Sequence, residues 1–127
     1  MSTADSEALF RPADFSLAAA PLADGGTVLT VSGELDVATA PALRARLHAL
    51  AAVRPCRLVL DLQAVSFMDS TALAVFIGAK TRIGDDGRMA LVIARDSYAR
   101  LIVDVVGLAD VLDVVETLED GVRRVSA

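Results

Sequence analysis

Leu58-Val59-Leu60-Asp61-Leu62-Gln63-Ala64-Val65-Ser66-Phe67-Met68-Asp69-Ser70-Thr71-Ala72-Leu73 is the stretch on which the fold turns. Up to Met68 it is mostly apolar with little alternation, as expected of a strand covered on both faces, so it is placed in the middle of a sheet. An acid and two hydroxyls follow. Beyond them Leu73, Phe76, Ile77 and Ile83 mark a helix over Thr71–Ile83. Ala72, Ala74, Val75 and Ala79 make that helix apolar nearly all round. Such a helix is either deeply buried or offers its outer face to a partner.

Upstream, Leu43, Leu47 and Leu50 recur at helical spacing with Arg44, Arg46 and His48 between them. Thr39 before Ala40-Pro41 suits a cap followed by an early-turn proline, and Pro55 closes the connection to the central strand. Phe15, Leu17 and Ala19 alternate with Ser16 and Ala18; after Asp24-Gly25-Gly26, the run Thr27–Val31 alternates again. This predicts two strands joined by a turn, the second ending in Gly33-Glu34-Leu35-Asp36. Residues 1–13 are polar and free of pattern, so a loose tail is expected there and a single domain over residues 14–127.

Downstream, Gly84-Asp85-Asp86-Gly87 is a turn and Met89–Ile93 another two-faced strand. Tyr98, Leu101, Ile102 and Val105 form an apolar stripe at i, i+3, i+4 and i+7, with Asp96 or Ser97 to open the helix and Gly107 to end it. Val111–Val115 reads as a short strand, and Thr117 with Asp120 resembles a capping box before Leu118, Val122 and Val125. Strands that alternate with helices imply right-handed crossovers. The expected fold is α/β: a mostly parallel central sheet of about five strands with an antiparallel edge strand, and about four helices packed on it.

Composition narrows the function. With 127 residues one core and one site are expected. Although 54% of the residues are hydrophobic, the longest apolar run falls far short of the roughly 20 residues that span a bilayer, so no membrane association is expected. Met1–Glu7 has no basic start and no long apolar stretch, which speaks against a secretory signal and for a cytoplasmic location. Cys56 is the single cysteine, so an internal disulfide, a multi-cysteine metal site and a paired-thiol redox centre are all excluded. A net charge of −5 argues against nucleic acid as a ligand and for a protein partner.

In open α/β sheets, ligands and switches gather where strands end and helices begin. The junction Met68-Asp69-Ser70-Thr71 is such a place. Asp69 or Ser70 can serve simply as an N-cap for the helix. Ser70 can also accept a phosphate, whose charge of about −1.5 to −2 a helix N-terminus tolerates. That charge beside Asp69 would repel an acidic partner or block close packing.

The segment Leu60–Leu73, preceded by Gly33-Glu34-Leu35-Asp36, resembles the most recognisable segments of the anti-sigma factor antagonists, which are STAS-domain proteins. The similarity runs from about Phe15 to the last helix. It implies that Ser70, the first hydroxyl residue after the loop aspartate, is a phosphorylation site, and that the unmodified protein binds an anti-sigma factor that is also an ATP-dependent serine kinase. A sigma factor is thereby freed, phosphorylation breaks the complex, and a phosphoserine phosphatase resets it. Asp36, Asp69, Ser70, Thr71 and Leu73 become the expected partner contacts. Ala72 stands where the family usually has glycine.

An enzyme is not expected, since His48 is the sole histidine and no nucleophile–base set, metal-ligand cluster or phosphate loop can be assembled. No cofactor is expected either. A phosphate-receiving aspartate of the response-regulator kind is represented only by Asp61, expected to end the central strand, without the acidic pair or the late lysine such a receiver needs. The remaining alternative keeps the fold and changes the role. The chain would then be an accessory subunit of a lipid transporter or a stress-sensing scaffold, in which Ser70 is only a cap.

Overall fold

In the computed structural model, which describes residues 15–126, the decisive stretch forms β3 (Arg57–Met68), the central strand of a five-stranded sheet. The spatial order follows the chain: β1 (Ser16–Pro21), β2 (Thr27–Leu35), β3, β4 (Arg88–Val92) and β5 (Val114–Val115). β1 runs antiparallel to β2 and every other pair is parallel, as the sequence pattern predicts. Four helices connect or follow the strands: α1 (Ala40–Ala51), α2 (Ser70–Ile83), α3 (Tyr98–Val106) and α4 (Leu118–Val125). The expected tail over residues 1–13 lies outside the described residues.

The period of two in β3 explains the two layers. Leu58, Leu60 and Leu62 point to one face, where Leu43 and Leu47 of α1, Phe76 of α2 and Val103 of α3 close the larger core. Val59 points to the other, with Ala90 and Val92 of β4 and Val125 of α4. Because successive parallel strands are neighbours in order and their crossovers are right-handed, α1, α2 and α3 share a face. Cys56 is buried just before β3, and burial pushes its thiol up, against a smaller opposing pull from Arg54.

Two sequence expectations change. Asp61 does not end β3: pairing with β4 stops there, at Asp61↔Val92, but β3 runs on to Met68 beside β2. β5 shrinks from Val111–Val115 to Val114–Val115, because Asp113 takes a left-handed φ of 55° and the residues before it form a turn that buries Leu112 completely.

The stripe of α3 departs further. Its helix is capped as expected, with the Ser97 hydroxyl accepting from the Arg100 N–H at 3.1 Å and Gly107 left-handed at φ 81°. Yet Ala99 and Val103 are the residues it buries, while Tyr98, Leu101 and Val105 are exposed. The helix packs through Ala99 and Val103 with Ile102, which is half-buried against the same core, and turns the rest of the expected stripe outward.

Gly87, in the turn before β4, is set by close approach. A Cβ there would lie 2.5 Å from the Cys56 carbonyl oxygen and 2.5 Å from Ile83 Cγ2. Gly87→Ala is therefore expected to destabilise the domain by about 1–3 kcal/mol, the usual cost of overpacking. Urea unfolding checks this: the midpoint should fall at constant slope.

Candidate functional site

The carboxyl ends of β2 and β3 lie side by side, with Leu35 paired to Met68. Neighbouring strands sit about 5 Å apart, so the residues that follow, Asp36 and Asp69, open two adjacent loops. A hydrogen bond ties the loops together: the Asp69 N–H donates to the Leu35 carbonyl at 3.2 Å.

Asp69 is extended, at φ −117° and ψ −176°, and its carboxylate accepts from the Thr71 N–H at 2.9 Å. It is the N-cap of α2, a role worth about 1 kcal/mol to a helix. Ser70 is consequently the first helical residue and its side chain is not needed as the cap. It is exposed, and its hydroxyl makes no hydrogen bond among the described residues. Thr71 is half-buried beside it. Ala72 is 1% exposed, so the methyl group where the family usually has glycine is taken into the core.

Leu73 is not where the sequence expectation puts it. At 3% exposure it belongs to the larger core, because it falls on the inward stripe of α2 with Phe76 and Ile83. It anchors the helix and presents no surface to a partner.

Asp36 organises the neighbouring loop. Its carboxylate accepts from the N–H groups of Ala38 at 2.9 Å and Thr39 at 3.1 Å. Thr39 occupies the cap position of α1 without capping it: its hydroxyl donates to the Glu34 carbonyl at 2.8 Å and accepts from the Asp36 N–H at 3.0 Å. The cap expected of Thr39 is thus replaced by an Asp36–Thr39 knot. None of Glu34, Asp36 and Asp69 forms an ion pair among the described residues; Asp36 and Asp69 are held instead by backbone N–H groups.

The site is a surface and not a pocket. An open depression of about 820 Å³ lies at the β5 side of the sheet and is bordered by Arg88, Arg100, Arg123 and Arg124, with no residue of the Ser70 loop among its walls. Among the described residues no cluster of His, Cys, Asp and Glu could hold a metal ion, and no helix is long and apolar enough to cross a membrane. Two exposed apolar residues near the carboxyl ends of β2 and β3 are missing from the expected contacts: Val37, 72% exposed in the Asp36 loop, and Phe67, whose ring stacks on Tyr98 of α3 at 5.5 Å between centroids. The first is visible in the sequence only as an apolar residue in a polar turn.

A family profile described as the STAS domain matches residues 18–121. The chain belongs to the STAS domain family. A relative of this STAS domain, the anti-sigma-F factor antagonist RsfB of Mycobacterium tuberculosis, is 33% identical over 102 residues, which span 80% of this chain and 83% of RsfB. The crystal structure of an anti-sigma factor antagonist from Mycobacterium paratuberculosis matches with a TM-score of 0.79 at 28% identity, over 88% of this chain and 94% of that one. The Bacillus protein SpoIIAA shares the STAS fold at lower identity. Its unphosphorylated form gives a TM-score of 0.68 at 19% identity over 86% of this chain and 95% of that one. Its phosphorylated form gives 0.63 at 18% over 86% and 98%.

Proposed function

We propose that this STAS protein is an anti-sigma factor antagonist that binds a serine-kinase anti-sigma factor in the cytoplasm, and that phosphorylation of Ser70 ends the binding. The observation that carries the proposal is the division of labour at the α2 N-terminus. Asp69 caps the helix, so the exposed Ser70 hydroxyl has no structural duty and is left for chemistry. The relatives support the partner class: RsfB is named an antagonist of an anti-sigma factor, and SpoIIAA has been solved both with and without phosphate.

The cycle follows from the charges. In the complex the Ser70 oxygen sits against the γ-phosphate of ATP held by the kinase. It attacks phosphorus as the bond to ADP breaks, and its proton passes to a base of the kinase. The product is a phosphoserine facing a site built for an anionic nucleotide. Like charges at such close quarters cost several kcal/mol, which drives the partners apart. The helix N-terminus meanwhile accepts the new charge, so the fold is kept. A phosphoserine phosphatase then restores the hydroxyl. The chain itself acts here as a binding protein and not as a catalyst; the Asp69 cap supports this reading over the one in which the Ser70 hydroxyl is needed as the cap.

Incubation with the kinase and ATP should add one phosphate, and peptide mass spectrometry should place it on Ser70. A phosphate on Thr71 or Ser66 instead, or none at all, would overturn the proposal.

A further inference from the structure

Part of the apolar surface of α3 is left outside the core. Tyr98, Leu101 and Val105 recur at i, i+3 and i+7 on one face of this nine-residue helix and are 45%, 56% and 75% exposed, while Ala99, Ile102 and Val103 meet the core. Such spacing is that of a helix seam, in which side chains of one helix enter the gaps of another. Along one flank of the stripe the Arg100 guanidinium and the Asp104 carboxylate pair at 3.0 Å with spacing i,i+4. The face thus carries one cation and one anion, a helical turn apart, next to a row of unburied apolar groups.

We infer that this face of α3 docks on the same face of a second copy of the chain, as an antiparallel, two-fold pair. Such a pair is independent of the phosphorylation cycle proposed above. Self-complementarity carries it. With a two-fold axis crossing α3 at the level of Ile102, Leu101 lies one residue before the axis and Val105 three after it. Leu101 and Val105 of one copy then alternate along the seam with those of the other, and Tyr98 closes each end. An axis perpendicular to two antiparallel helices keeps each flank on its own side. Arg100, two residues before the axis, therefore faces Asp104 of the second copy, two residues after it, and the reverse holds as well. Two internal ion pairs become one ring of four alternating charges. Exposed ion pairs add little affinity, so the apolar row supplies the hold and the charges fix the register. A nine-residue helix is about 14 Å long, and one face of it covers less than the about 800 Å² per side of a standard interface. The pair is accordingly weak and forms in the micromolar range and above.

Sedimentation velocity of the full chain, from about 1 μM to about 1 mM, tests the pair. The sedimentation coefficient of the parent is expected to rise from the monomer toward the dimer value across this range. Leu101→Ser combined with Val105→Ser should weaken self-association at least about 100-fold, because each substitution enters the interface from both copies. Val53→Ser is the control and should associate as the parent does, since Val53 is 69% exposed but lies between α1 and β3. Charge variants read the register. Arg100→Asp sets acids against acids and Asp104→Arg sets bases against bases; the first acid falls in the first turn of α3 and the second base in its last, so the helix is kept. Each variant alone should associate about tenfold more weakly than the parent, and their equimolar mixture should form a heterodimer in which every facing pair is opposite in sign. The inference is overturned by a parent that stays monomeric throughout, which leaves the stripe to a different protein. It is equally overturned by a serine double variant that dimerises like the parent, or by a mixture that associates no better than its components.

Discussion

Ser70→Ala is expected to hold the anti-sigma factor kinase as tightly as the parent does and to stay bound when ATP is added, whereas the phosphorylated parent loses at least about 100-fold in affinity, the equivalent of about 2.7 kcal/mol. Ser70→Asp should fall between the two, since one negative charge close to the backbone imitates only part of a dianion. Folding should respond in the opposite sense. An acid in the first turn of a helix is favourable by about 0.3–1 kcal/mol, so the melting temperature of Ser70→Asp should not drop. Titration calorimetry and a thermal melt on the same samples separate these effects. Equal affinity of the alanine and aspartate forms would reduce Ser70 to a surface residue.

Phe76→Ala should have the largest effect on stability. Phe76 is fully buried in the larger core, on the same helix as Ser70. Truncating such a side chain removes its burial and leaves a cavity, at about 3–5 kcal/mol. A domain of this size has about 5–15 kcal/mol in all. The urea midpoint should therefore fall by about a fifth or more. Ile77, the next residue, is 38% exposed, and its truncation should cost a small fraction as much. Similar losses at both positions would mean that α2 does not pack as described.

The contrast between these neighbours indicates how much of the molecule is legible in its sequence. The two-faced strand β3, the antiparallel β1–β2 hairpin and the caps of α3 and α4 are all readable, because each depends on short-range chemistry: a run of Leu and Val, a Gly-Gly turn, and a hydroxyl a few residues before a helix N–H. The Thr117 hydroxyl accepts from the Asp120 N–H at 3.1 Å as that logic requires. The inward face of α3 is not readable. Tyr98, Leu101, Ile102 and Val105 form one apolar stripe and Ala99 with Val103 and Ile102 another, and periodicity alone does not choose between them. Packing does: Ala99, Ile102 and Val103 meet the core, and the others of the expected stripe are left outside. Leu73 departs from expectation for a related reason, since nearness to Ser70 in sequence is not nearness on the surface when a helix turns successive residues by about 100°. The Asp36–Thr39 knot needs three dimensions as well, because two polar residues compete there for one cap.

The way Asp69 closes the α2 N-terminus has a consequence for timing. Esterifying the Ser70 oxygen requires no bond within the described fold to break, and no segment has to be released first. In the proposed cycle the protein is then a passive bearer of a mark. It stores the signal as a covalent bond with no mechanical spring behind it, so the duration of each response is set by whichever enzyme writes or erases that bond.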